Sequence, residues 1–167
     1  MAIFGKLVLM AVFVLSASMK IYDFSSFRAQ IRTTTPLPAG PAKALAVGIV
    51  SLEMGAFPLL LMGRPAWGGY ALCMALLAGF TCYLVWLLVF HRGASCGCAG
   101  SSTSPTSGVH VIRNVLLLSL TGAAWWLEAR SGTPTPLEYL VLAGPAAVAG
   151  AFLLYLDEVI SLFRERT

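Results

Sequence analysis

Hydrophobic residues in this chain come in five runs of similar length, at 3–22, 44–62, 67–90, 110–129 and 137–156, separated by breaks that carry proline, glycine or charge. A helix that crosses the roughly 30 Å hydrocarbon core of a bilayer needs about 20 apolar residues. Lipid offers no hydrogen bonds, so every backbone polar group must be satisfied within the segment, which a helix does. The pattern therefore predicts an all-α integral membrane protein. We expect one domain over residues 1–167, a bundle of about five transmembrane helices arranged as a four-helix core plus a C-terminal helix.

The breaks have structure of their own. Between the first two runs, Phe24, Phe27 and Ile31 recur on one helical face while Arg28 and Arg32 share another, the pattern of a short helix lying in the membrane interface. Residues 33–41 hold Pro36, Pro38 and Pro41, each of which restricts the residue before it, and read as a stiff connector. Residues 91–109 form a polar loop. In the last run Ala143, Ala147 and Ala151 recur every four residues, a small-residue stripe that lets helices pack closely. The first run could pass for a signal peptide ending at Ser16-Ala17-Ser18, but its apolar character continues to Ile21 and Tyr22, so we read it as the first spanning helix.

Composition agrees with this picture and narrows the function. The chain is 58% hydrophobic and 11% charged, far from soluble averages. Its net charge of +4 comes from scattered Lys and Arg, with no basic run and no glycine-rich phosphate loop, which argues against nucleic-acid and nucleotide binding. Four cysteines are too few for a disulfide scaffold, so their positions decide what they do.

Alternating helices put the ends of the first, third and fifth runs and the starts of the second and fourth on one membrane face, here called side A. That face carries Cys96-Gly97-Cys98 in the 91–109 loop. The glycine allows the backbone angles that a very small disulfide ring requires. A strained bond of this kind has a raised reduction potential and suits reversible thiol–disulfide exchange better than permanent cross-linking. Arg92 and Arg113 are near enough in sequence to favour the attacking thiolate. His91 and His110 flank the pair and raise a zinc or copper reading; we read the first as an interfacial residue and the second as the start of the fourth helix, and assign no metal.

Glu53 falls near the middle of the second run, where a charge is costly unless paired. Lys20 lies about a turn inside side A on the first run, and a depth difference of roughly 8 Å at 1.5 Å per residue is within reach of the two side chains. Arg113 and Asn114 enter from the same side. Lys20, Glu53, Arg113 and Asn114 are accordingly expected to form a buried polar cluster beneath the cysteine loop, serving either the thiols or helix packing alone. Cys73 and Cys82, nine residues apart on the third run, point to opposite faces and cannot bond to each other. Both read as small packing residues.

Taken together these residues resemble the methylamine utilisation protein MauE family. The resemblance rests on Lys20 with Tyr22, Phe24 and Phe27, on Glu53-Met54-Gly55, on Cys96-Gly97-Cys98-Ala99-Gly100, and on Arg113-Asn114, in that order over about residues 3 to 130. The family commonly has Phe at the position of Ala99, a departure beside the cysteines that bears on partner specificity. The resemblance implies a thiol–disulfide oxidoreductase of the bacterial inner membrane, with Cys96 and Cys98 as catalytic residues. Its role would be forming disulfides in, or maturing, an exported protein such as methylamine dehydrogenase, with a thioredoxin-like periplasmic partner. The layout is also similar to helical-bundle vitamin K epoxide reductases and quinone-linked disulfide oxidases, which brings in quinone as a candidate electron acceptor by analogy of fold alone.

Two rival classes stay open on the sequence: a noncatalytic docking or assembly factor that keeps the disulfide for loop shape, and a small-molecule transporter with Glu53 and Lys20 along its path. Orientation is also contested. Lys20, Arg28, Arg32, Lys43, Arg92, Arg113, Arg164 and Arg166 lie on side A, against Lys6, Arg64 and Arg130 on the other face. The positive-inside rule makes side A cytoplasmic, whereas disulfide exchange belongs in an oxidising compartment outside. We expect the loop to be extracytoplasmic.

Overall fold

A computed structural model describes residues 2–35, 37–62, 66–90, 108–130 and 135–156. These form six helices: α1 (Ala2–Tyr22), α2 (Phe24–Thr34), α3 (Ala39–Met62), α4 (Ala66–Phe90), α5 (Gly108–Glu128) and α6 (Pro136–Leu154). Helix α1 packs against α3, α5 and α6, and α4 packs against α3 and α5. The helices α1, α3, α4 and α5 thus close a four-helix ring, and α6 lies against α1 on its outside. Leu9, Phe13, Leu60, Tyr70, Leu77 and Leu117 fill the middle of the ring.

Four helices, α1, α3, α4 and α6, are long and apolar enough to cross a membrane. Helix α5 matches them in length but is interrupted by His110, Arg113 and Asn114, all buried against its neighbours. Its large outward side chains are Ile112, Val115, Leu116, Trp125 and Trp126. Polar residues inside and large apolar residues outside are what a lipid environment selects, because lipid penalises an unpartnered polar group more than any protein neighbour does.

Helix α1 contributes Val8, Leu9, Val12 and Phe13 to the core. Helix α3 begins at Ala39, earlier than expected from the prolines, because Pro41 falls in its first turn, where the missing N–H costs nothing. Helix α5 likewise starts at Gly108, inside the expected loop. The small-residue stripe of α6 is displaced: Ala146, Gly150 and Leu154 are the buried positions, while Ala143 and Ala147 face outward. A Cβ on Gly150 would come within 3.0 Å of the Ala11 Cβ and 3.3 Å of the Val8 carbonyl oxygen, so the absent side chain is what lets α6 approach α1.

Helix α2 has the two-faced arrangement read from its sequence. Phe24, Phe27 and Ile31 pack on Ala42 and Ala46 of α3, and Arg32 is exposed. Asp23 caps it, accepting from the Ser26 amide at 3.2 Å and the Ser25 hydroxyl at 3.2 Å. Hydrogen bonding from the Ser26 side chain and amide holds the Asp23 carboxyl below its ordinary range. A depressed carboxyl contributes stability above its unfolded pKa and loses it as pH falls through the folded value. The cap is therefore expected to be intact at neutral pH and to weaken only below about pH 4. Hydrogen exchange at the amides of Ser25 to Phe27 should speed up in Asp23→Ala at pH 7 and stay slow in Asp23→Asn, which keeps the acceptor.

Candidate functional site

Ser16 and Lys20 sit one turn apart on α1 and project from the same face. The Lys20 ammonium donates to the Ser16 hydroxyl at 2.7 Å and to Oε1 of Glu53 at 2.6 Å, and the Ser16 hydroxyl lies 3.3 Å from the same carboxylate oxygen. Glu53 is 0% exposed and Lys20 2%. The pair locks α1 to α3 in the low-dielectric interior, where removing either partner leaves a buried charge uncompensated.

Arg113 and Asn114, on the first turns of α5, are also buried. Together with Ser16, Lys20 and Glu53 they line a cavity of about 30 Å³, room enough for one water. The second carboxylate oxygen of Glu53, Oε2, is buried without a hydrogen-bond partner among the described residues. That leaves an acceptor for a proton or a water beside two cations. Arg113 also donates from Nη1 to the Leu154 carbonyl at 3.0 Å, which satisfies a C-terminal carbonyl of α6 and ties that helix to the cluster.

The structure thus brings Lys20, Glu53, Arg113 and Asn114 around one cavity. It adds Ser16, whose i, i+4 spacing from Lys20 is the sequence signal that both lie on one helix face. Cys96 and Cys98 lie outside the described residues, as does His91. His110 is buried at the opening of α5. Cys73 is buried in the core and Cys82 is exposed on the opposite face, so the packing role expected for both holds within the chain only for Cys73.

A second polar cluster at the other end of the bundle escaped the sequence reading. The Lys6 ammonium donates to Oε1 of Glu128 at 2.9 Å, and the Tyr70 hydroxyl donates to Oε2. This links the starts of α1 and α4 to the end of α5. With Lys20 and Arg113 buried and Lys6 paired, these three count little towards topology.

On the outer side of the Lys20–Glu53 pair lies a larger cavity of about 290 Å³ between α2, α3 and α4. Lys20 and Phe80 border both cavities. The Lys20 Nζ is 5.0 Å from the centre of the Phe80 ring and 5.7 Å from that of Phe27, distances at which a cation is attracted to the ring faces.

A closed ring of apolar helices around a buried Lys–Glu pair, with an interfacial helix laid over one end, defines a multi-pass helical membrane protein with a polar centre. The profile of the methylamine utilisation protein MauE family matches residues 1–127, and the chain belongs to that family. No curated protein and no solved structure matches it.

Proposed function

We propose that the protein is a thiol–disulfide redox protein of the bacterial inner membrane that acts in methylamine utilisation. It would form disulfides in, or mature, an exported protein such as methylamine dehydrogenase, through a thioredoxin-like partner. The observation that carries this reading is the pairing of Cys96 and Cys98 across one glycine between α4 and α5 in a chain of this family.

The thiolate of one cysteine attacks a sulfur of the partner's disulfide, forming a mixed disulfide and expelling the partner's other sulfur as thiolate. The second cysteine then attacks the mixed disulfide. The Cys96–Cys98 pair is left oxidised and the partner reduced, with two electrons and two protons transferred; the reverse sequence starts from the Cys96–Cys98 disulfide, oxidises the partner and leaves the pair as dithiol, so the disulfide-forming direction needs a two-electron acceptor such as a quinone to restore it. Helix α4 ends at Phe90 and α5 opens at Gly108, so both described flanks of the cysteine segment lie towards the Lys20 and Arg113 end of the bundle. Two cations against one carboxylate give that end a positive potential, which favours a thiolate. Glu53, with one oxygen left to accept, is suited to holding a proton there.

The test is membrane-impermeant maleimide labelling of intact spheroplasts carrying the Cys73→Ser/Cys82→Ser protein, before and after mild reduction. Labelling from outside that appears only after reduction is the expected result and places an oxidised pair outside the cytoplasm. Labelling that requires the membrane to be breached would put the loop inside, as the basic residues of side A argue, and would end the disulfide-forming reading. A Cys96→Ser/Cys98→Ser variant that still supports maturation of the partner would make the protein a docking factor instead.

A further inference from the structure

We infer that the cavity between α2, α3 and α4 is a binding site for the apolar part of a lipid-phase molecule that presents a neutral carbonyl oxygen to Lys20. Its volume of about 290 Å³ lies at the lower end of the range for small-molecule sites. The apolar wall comes from Leu45, Ile49, Ala75 and Leu76, and flat surfaces from Phe27 and Phe80. Such a lining recognises an apolar body, and the aromatic rings favour a flat one.

Polarity in the site is confined to a few groups, of which, among the described residues, Lys20 is the only one carrying a formal charge. An ammonium has three donors, and Lys20 gives one to Ser16 and one to Glu53. Among the described residues the third meets no acceptor, and Nζ lies 5.0 Å from the centre of the Phe80 ring that lines the cavity; this is the donor assigned to the ligand. Because Glu53 already neutralises Lys20, an anion entering this apolar wall would find no cation of its own, so the acceptor is a neutral oxygen.

The roof of the site is α2. Thr34 and Tyr83 share a hydrogen bond of 2.7 Å that pins this helix to α4, and Tyr83 also lines the cavity. The neighbouring outer surface includes Leu45, which is 43% exposed, so the route in is from lipid. A carbonyl on an apolar body occurs in two lipid-phase sources, a ring ketone and an acyl ester.

Gly79 allows a test that leaves the ion pair untouched. It lines the cavity, and a Cβ added there meets nothing within 4 Å. Gly79→Leu should therefore fill the site while improving helix propensity. Purified protein in detergent would be titrated with a short-chain benzoquinone as the ring-ketone probe, reading binding by intrinsic fluorescence and by the rise in Tm. Phospholipid retained through purification would be counted by native mass spectrometry.

The expected result is that wild type binds the probe or retains about one phospholipid per chain, and that Gly79→Leu weakens the one or the other at least tenfold while its own Tm does not fall. Probe binding identifies the ring ketone, and retained lipid the acyl ester. Equal behaviour of wild type and Gly79→Leu towards both would overturn the inference. The Lys20→Met/Glu53→Leu variant, which removes the ammonium without leaving a buried charge unpaired, should also weaken probe binding. The Cys96→Ser/Cys98→Ser protein should bind as wild type does, so the outcome is independent of the thiol reading.

Discussion

Glu53→Ala is expected to destabilise the bundle by about 3–5 kcal/mol, the cost of leaving a buried ammonium without its counter-charge. Lys20 is 2% exposed and sits 2.6 Å from the carboxylate, so it cannot recover water without opening the contact between α1 and α3. Lys20→Met should cost a similar amount for the converse reason. The Lys20→Met/Glu53→Leu double variant should recover most of the loss, because well-packed apolar side chains replace a buried pair at little cost. Reversible unfolding in mixed micelles, read as a double-mutant cycle, measures this coupling. Losses that simply add would show that the two groups act independently. Glu53→Gln separates stability from chemistry: full thiol activity in that variant would remove Glu53 from any proton-handling role.

The second large effect concerns helix approach. A Cβ on Gly69 would lie 2.9 Å from the backbone nitrogen of Leu60 and 3.0 Å from the carbonyl carbon of Leu59. Backbone cannot rotate away as a side chain can, so Gly69→Val must push α4 from α3. We expect a loss of about 1–3 kcal/mol or more, the usual range for overpacking. Gly150→Val should fall in the same range by separating α6 from α1. Gly48 and Gly55 have nothing within 4 Å of an added Cβ, and Gly→Ala at either should be neutral or stabilising by up to about 1 kcal/mol, the helix-propensity gain. Detergent Tm values for the four variants check the ranking. Equal effects at all four would mean that close packing does not govern these contacts.

Much of the polar centre could be read from residue positions because charge inside an apolar run has few outlets. Glu53 in mid-membrane demanded a cation, and counting rise per residue left Lys20 within reach; the contact at 2.6 Å is that pair. The Lys6–Glu128 contact joins residues 122 positions apart, and each of the two sits near a helix end, where an interfacial charge needs no partner. Nothing local signalled that they meet, or that Tyr70 joins them. The apolar cavity was equally hidden, since Phe27, Phe80 and Tyr83 are ordinary residues of their segments until α2 folds over α4.

Helix α6 shows where legibility ends. Its small residues recur at helical spacing, and the period was right, but the buried set is Ala146, Gly150 and Leu154 instead of Ala143, Ala147 and Ala151. A helix apolar on every side has no polar face to mark its outward direction. Hydropathy determined broadly which segments leave water, because the cost of exposing backbone and charge to lipid is large and local. Which side of each helix meets its neighbours was decided only by tertiary packing, because lipid tails and a protein interior are nearly equal in apolarity and only shape and buried polar pairs distinguish them.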